Sequence, residues 1–456
     1  MLFAILIAHC LPAEAQSGNA AQTHADRGFN HLYNLELDEA AAQYEQAIAL
    51  APDDPDYHVG LAHVRLFQHL RSAGRLDAQI YGASNDLLAR PAPPDPQFER
   101  AMWDSLRRAR ALCEKRLAAD EKDPDAHYAL GLSYAVESNF HVNARGKPRD
   151  ALSPATKAKD HHQRVRELDP ANHDANFIIG AYEYAIGSVP AAFRWMLYLV
   201  GHSGSKPNGL ALMEDAMRHG RRASPTARTT LAYFYAREKQ YPRSRALLAD
   251  LAALYPQNHV FAMEVAMSHA REGNHAAAAA AYEEIARKVE AGAPGLSRLS
   301  APRLYFQIAV MHEYAKNYPR AAGAYEKTLA ALASPAASPA SHAASRANPP
   351  NSLQPSSSPP APASAPAAPT SAGSASLASA PSAFSDFSSA APTGTTPDWN
   401  SPLAPLRAHT HLRLGSILAT AGDKARARSH LELAAASPFP AVAREAKNQL
   451  KKLEKL

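Results

Sequence analysis

Small and large apolar residues recur along this chain at fixed offsets. A Gly or Ala is followed twelve residues on by a second small residue, four later often by an aromatic, three later by a small or apolar residue, and five later often by proline. The first copy is Gly28, Ala40, Tyr44, Ala47 and Pro52, and the next opens at Leu61-Ala62, so that 34 residues separate Gly28 from Ala62. Later copies read Ala232, Ser244, Leu248, Leu251, Pro256; Ala266, Ala278, Tyr282, Ile285; Ala309, Ala321, Tyr325, Thr328; and Gly415, Ala427, Leu431, Ala434. The pattern predicts two antiparallel helices per repeat. Small residues stand where the two backbones approach, an aromatic fills the space beside them, and proline ends the second helix.

Between these copies the period is interrupted. Tyr57 to Leu70 reads as a first helix whose partner, Glu99 to Ala119, is delayed by an insert near residues 71–98. A third repeat opens at Leu130-Gly131 with Tyr134, is broken by an insert near 141–154, and closes with Ala158, His162, Val165 and Pro170. Ile179-Gly180 then opens another first helix, carrying Tyr182 and Tyr184. An insert at 187–206 follows, apolar and aromatic, before a second helix resumes near Gly209, Met213 and Ala216. Residues 16–332 thus form the main repeat array. From 333 to 405 the chain is Ala, Ser, Pro and Thr with almost no charge. Such a segment cannot bury enough surface to offset its ordering entropy, which predicts a disordered linker. Residues 406–456 supply one more repeat and an amphipathic helix with Leu450 and Leu453 on one side. A lone repeat is not stable alone, so this unit is expected to stack back on the Ala309 repeat, with the last helix as a cap.

These spacings resemble the tetratricopeptide repeat (TPR) family across most of the chain outside the leader and the linker. The run from Gly187-Ser188-Val189-Pro190 to Gly201-His202-Ser203-Gly204, followed by Gly209-Leu210, is similar to a TPR subgroup related to the inclusion-body clearance proteins, over residues 170–216. The resemblance implies an all-α, right-handed superhelical solenoid of antiparallel helix pairs whose first helices line a concave groove. Residues one and five positions after the small turn residue are expected on that groove: Phe29, Tyr33, Tyr184, Tyr233, Arg237, Met267, Arg271 and Tyr314, with Phe306 joining them. A row of aromatics with two arginines at equivalent positions suits an extended peptide carrying an acidic group. The plainer alternative has both arginines solvated and the tyrosines filling the core between repeats. The insert carrying Phe193, Trp195, Met196 and Tyr198 reads either as an extra helix packed on the solenoid edge or as a docking patch for a membrane surface or a partner.

Composition narrows the chemistry. The formal charge of +5 and pI near 9.0 are modest for 456 residues, and Arg and Glu are interspersed, which does not favour nucleic acid. Of the 21 histidines none pairs at four-residue helical spacing around a carboxylate, and no Cys cluster exists, so they read as scattered surface residues with no metal. Gly201 to Lys206 lacks the Gly before Lys of a phosphate loop and is followed by Pro207; no Gly-x-Ser-x-Gly elbow occurs. No catalytic residue and no cofactor is expected, and Cys113 reads as a small core residue. The leading expectation is a noncatalytic protein-protein interaction scaffold for a protein or peptide partner. The alternatives are an envelope-associated protein docking through 187–206, and the substrate-recognition subunit of a separate enzyme.

Residues Met1 to Ala8 form a short apolar run, and Pro12-Ala13-Glu14-Ala15 matches the small-x-small rule for leader cleavage, giving a signal peptide at 1–15 and export to the periplasm or cell envelope. The run lacks a basic segment, which leaves a start upstream or a cytoplasmic form as alternatives. His9 stands where a lipid-modification motif at Cys10 needs a small residue, which disfavours lipidation. Protein isolated from its native host is expected to begin at Gln16; an intact mass that retains residues 1–15 would remove the export reading.

Overall fold

The computed structural model describes residues 13–73, 95–199, 201–296, 299–333, 397–399, 401 and 403–455. Among them the structure is all helix, with eighteen α-helices, one π-helical turn and no strand. The helices are α1 (Ala13–Tyr33), α2 (Leu37–Leu50), α3 (Pro55–Ser72), α4 (Pro96–Ala119), α5 (Pro124–Asn139), α6 (Leu152–Leu168), α7 (Ala175–Gly187), α8 (Ala191–Leu199), α9 (Lys206–His219) and α10 (Ser224–Arg237). They continue as α11 (Tyr241–Leu254), α12 (His259–Arg271), α13 (His275–Glu290), α14 (Ala301–Tyr314), α15 (Tyr318–Ala333), α16 (Ala404–Thr420), α17 (Lys424–Ala435) and α18 (Pro440–Leu453). The expected leader boundary at Ala15 falls in the first turn of α1, and residues 1–12 lie outside the described residues. The chain divides into two units, residues 1–316 and 317–456.

Local sequence sets the helix ends. Asp54-Pro55, Asp95-Pro96 and Asp123-Pro124 open α3, α4 and α5 alike: each Asp carboxylate accepts from a backbone N–H of the first turn, of Asp56, Gln97 and Ala126 respectively. Each such cap contributes about 1 kcal/mol, and the proline has no N–H to leave unpaired at that position. At the other end, five first helices stop at or just before a residue with left-handed backbone: Leu35 (φ 61°), Lys239 (φ 59°), Gly273 (φ 90°), Lys316 (φ 59°) and Gly422 (φ 88°). Every one lies seven residues after the small residue of its repeat, so the turn is held at a fixed distance from the interhelical contact.

The first unit is a helical solenoid of hairpins, α1/α2, α3/α4, α5/α6, α7/α9, α10/α11 and α12/α13, each packed on the next, followed by α14. Within the hairpins the repeat residues do what their spacing implies. Ala40, Ala47, Ala232, Ser244, Ala266 and Ala278 are fully or almost fully buried. A Cβ added at Gly28 would sit 2.8 Å from the Tyr44 ring, so the glycine makes the seat into which the aromatic packs. Gly131 plays the same part for His162, which stands in place of the aromatic with its Nδ1 2.8 Å from the Ala158 carbonyl. In α7/α9 two glycines face each other: a Cβ on Gly180 would lie 2.7 Å from the Gly209 oxygen, and one on Gly209 2.6 Å from the Gly180 oxygen. The delayed partner of α3 is α4, packed along it; the insert between them falls mostly outside the described residues. The second insert is a π-helical turn at Phe140–Ala144 and a tight turn before α6.

The second unit is α15 to α18. Helix α15 packs on α16, Arg426 of α17 pairs with Glu326 of α15, and Arg407 Nη2 donates to the Leu332 carbonyl at 2.9 Å. Residues 334–396, most of the expected linker, lie outside the described residues. Its last part differs from expectation: Trp399 packs against Ala408, Ala434, Val442 and Ala446, because a large aromatic beside a helix bundle has apolar surface to bury. Helix α18 buries Val442, Ala446 and Leu453.

The expectation of scattered surface histidines is corrected. His58, His69, His162, His259, His312, His411 and His430 are buried. In the second unit His411 and His430 face each other with Nδ1 atoms 2.9 Å apart, one ring donating to the other. Burial pushes His411 down to about 3 and His430 to about 4, so both are neutral packing residues at ordinary pH. Cys113 is fully buried against Ala129 and Leu130, which pushes its thiol up to about 12. Replacing Gly209 by Ala is expected to destabilise the first unit by about 1–3 kcal/mol, because the added methyl meets two backbone atoms of α7, the Gly180 oxygen and the Tyr184 nitrogen, and backbone cannot swing away. Denaturant unfolding checks this, and an unchanged midpoint would refute the backbone crossing.

Candidate functional site

The inward stripes of α1, α3, α5, α7 and α10, all first members of their hairpins, surround a cavity of about 600 Å³ in the first unit. Apolar walls come from Phe29, Tyr57, Tyr128, Leu132, Val136 and Phe177; polar groups come from Asn30, Asp56, His63, Asn139, Arg222 and Thr230. Mostly apolar walls with a few placed polar groups are the usual make-up of a binding cavity of this size.

The cavity exists because the solenoid closes on itself. The Tyr33 hydroxyl lies 2.6 Å from the Thr226 hydroxyl, and its ring packs on Tyr255 with centroids 4.9 Å apart. Asn258 Nδ2 donates to the Tyr33 carbonyl at 2.7 Å, and Gln257 N donates to Asn34 Oδ1 at 3.2 Å. Tyr33 thereby packs into the core formed by Ala232, Leu248, Leu251, Tyr255 and Phe261. A second tie joins Arg222, just before α10, to Asp56 in the first turn of α3. Arg222 is steered by its own backbone, since Asp174 accepts from the N–H of Arg222 and of Ala223 at 3.1 and 3.0 Å. Its guanidinium carbon lies 4.9 Å from the Tyr128 ring centre, and about half of the side chain stays open at 49% exposure.

Electrostatics follow from enclosure. Burial raises the Asp56 carboxyl above its ordinary range, and Arg222 opposes that rise; Asp56 Oδ1 is buried with no hydrogen-bond partner. Burial works against the Arg222 charge, but Asp56 outweighs it and holds the guanidinium firmly protonated. His63, walled in by protein on most sides yet touching the cavity, is pushed down to about 4 by burial and stays neutral. Burial and the neighbouring Asp54 and Asp56 carboxylates push Tyr57 up to about 12. The result is an aromatic surface of little net charge, with the Arg222–Asp56 ion pair in its wall and Asp26 and Arg221 also in its lining.

Of the residues expected on the groove, Phe29 lines the cavity and Tyr33 closes it. Tyr233, Arg237, Arg271 and Tyr314 are exposed, but Arg271 is engaged by Glu264 at 2.9 Å. The placement of the other three is corrected. Tyr184, Met267 and Phe306 are buried. Tyr184 comes one helical turn after Gly180, so it shares the stripe that meets the neighbouring helix, and its ring stacks on Phe234 at 3.8 Å. Met267 adjoins Ala266, and Phe306 lies one turn before Ala309, both on the packed side. Sequence reasoning missed Tyr57, Tyr128, Phe177 and Thr230. Most of these stand two or three residues before the small residue, and carrying the groove stripe one turn towards each helix N-terminus would have found them. In the 187–206 insert, Phe193, Trp195, Met196 and Tyr198 are all exposed on α8, and no residue of that helix is buried. Among the described residues no group of three or more His, Cys, Asp or Glu could hold a metal ion.

A helical-hairpin array with this small-residue seat defines a class, and comparison with known proteins refines it. The family model described as Iml2/Tetratricopeptide repeat protein 39 matches residues 125–336. Over that span, somewhat under half of the chain, the sequence is similar to tetratricopeptide repeat proteins of the Iml2 subgroup. No curated protein matches it. Among solved structures, a thermophilic TPR protein of Thermus thermophilus is 14% identical, covering 55% of this chain and 98% of its own, with a TM-score of 0.32. Yeast Tom70 is 11% identical over 96% of each chain, with a TM-score of 0.35. A TPR protein of Parabacteroides merdae is 12% identical over 69% of this chain and 93% of its own, with a TM-score of 0.28.

Truncating Arg222 to Ala is expected to cost about 1–3 kcal/mol at neutral pH by leaving the Asp56 carboxylate buried and unpaired, towards the low end because half of Arg222 is open. In that variant the carboxyl titrates higher in the folded than in the unfolded chain. The folded state then binds more protons, so the variant loses stability as pH rises and regains part of it on acidification. A thermal midpoint deficit that is equal at pH 5 and pH 7 would contradict this.

Proposed function

We propose that this chain is a noncatalytic protein-protein interaction scaffold that takes an extended peptide segment of a partner onto the concave face of its first unit. The TPR-like fold suggests protein partners in general, and the observation that carries the finer reading is the cavity ringed by first helices. Its aromatic walls suit apolar side chains, while Asn30, Asn139 and Thr230 offer donors and acceptors to a peptide backbone. A cavity of about 600 Å³ holds a few residues, which fits a short motif better than a folded surface. With Arg271 held by Glu264, a pair of free arginines waiting for an acidic group is not part of this reading.

A photo-crosslinking residue at Asn30, inside the cavity, is expected to trap one dominant protein in cell extracts. The same residue at Glu39, exposed on α2, is expected to trap none of it, and Thr230→Glu should abolish the Asn30 adduct. Equal adducts from both positions would defeat the concave-face reading.

A further inference from the structure

We propose that α8 is a lipid-binding element that lies in the headgroup region of an anionic membrane surface, a role beyond the scaffold reading. Helix α8 is nine residues long, and Phe193, Trp195, Met196, Tyr198 and Leu199 are each more than half exposed, Leu199 at 76%. Only Arg194 and Leu197 are partly covered, which sets the side of the helix that faces the protein. At about 100° per residue the five exposed large side chains then cover an outward arc of roughly 220°, with no charged or amide side chain in it. A helix that docks in a protein groove uses a stripe of roughly 100° and leaves the rest polar. An arc twice as wide fits a medium that covers the helix from every outward direction.

The single charge of α8 is withdrawn from that arc. Arg194 folds back to the preceding turn, where Nη2 donates to the carbonyls of Val189 at 3.0 Å and Gly187 at 3.2 Å. Trp and Tyr together with Phe, Leu and Met are the side chains that settle where acyl chains meet headgroups. The helix is about 14 Å long, under half of a hydrocarbon core of about 30 Å, so it can lie in one leaflet and not span. No helix among the described residues is long and apolar enough to cross a membrane.

The base of α8 supplies charge complementarity. Lys206 and Arg237 lie 5.9 and 6.0 Å from the Tyr184 ring centre, and the Gly187 carbonyl that receives Arg194 belongs to the same end of α7. Against these three cations stand Glu238, paired with Lys206, and Glu183, which accepts from the Ser205 N–H. The excess is positive, which favours anionic headgroups. The mounting is fixed: the Tyr182 hydroxyl and His202 Nδ1 are 2.7 Å apart just beyond the helix.

The test uses the full chain with vesicles of phosphatidylcholine alone and of phosphatidylcholine with phosphatidylserine. Wild-type protein is expected to float with the serine-containing vesicles and more weakly with the neutral ones. The triple variant Phe193→Ser, Trp195→Ser, Leu199→Ser should lose about tenfold or more in partitioning, with circular dichroism unchanged because all three side chains are exposed. Independently, vesicles should blue-shift Trp fluorescence in wild type and not in Trp195→Phe. Wild type that floats with neither vesicle, or a triple variant that floats equally well, overturns the proposal. So does a wild-type dimer that the triple variant dissolves while neither binds vesicles, since α8 would then be a self-association surface. The Asn30 adduct should be the same in the triple variant, so failure here and failure of the scaffold reading are separate results.

Discussion

The structure depends on one close approach, that of two helix backbones at a small residue. Where Gly28 meets Ala40, Gly131 meets Ala158 and Gly180 meets Gly209, the absence of side-chain bulk lets the helices come near enough for ridge-into-groove packing. The side chain four residues on, Tyr44, His162 or Met213, then fills the space the small residue leaves. Because the left-handed turn residue sits a fixed seven positions after that contact, the second helix starts at the same place in each repeat that carries it. Hairpin geometry, and with it the direction in which the array curves, is therefore set repeat by repeat at a single point.

Curvature repeated over five hairpins brings the first two back to the fifth and sixth. Tyr33, Asn34 and Asp56 then find Thr226, Asn258, Gln257 and Arg222 as partners. The closure turns what would be an open trough into a walled cavity, and it changes the chemistry of the wall. An ion pair that would be worth little on an open face becomes an anchor in which removal of one partner strands the other. His63 and the tyrosines lose access to water on most sides, which keeps the imidazole neutral and the phenols protonated. The cavity offers shape and hydrogen bonds, with little net charge.

The two inserts in the array that the structure describes differ in kind. The π-helical turn at Phe140–Ala144 buries Phe140 and is absorbed by the core. Helix α8 does the reverse, turning its largest side chains outward and its one charge inward. A chain under no other constraint would bury that surface, so its exposure is the clearest departure from folding for stability alone.

Much of the fold was legible in the sequence because its rules are local. Small residues at a twelve-residue offset and proline at helix ends act within a few turns of chain, so the helix pairs, the delayed partner of α3 and the exceptional character of residues 187–206 could be read in order. The site was legible only in part. Phe29 was placed on the concave face, while Tyr184, Met267 and Phe306 were not, because an error of one helical position moves a side chain by about 100° and from groove to core. Trp399 is linker by composition and core by contact. The buried histidines read as surface residues because burial of an imidazole depends on which neighbours packing brings around it, and residue type alone does not announce them. By itself the sequence determined the hairpins, since their contacts lie within some thirty residues. Only the tertiary structure decided that Tyr33 meets Tyr255 and Asp56 meets Arg222, because that closure sums the small rotations of many repeats, and no single repeat encodes the sum.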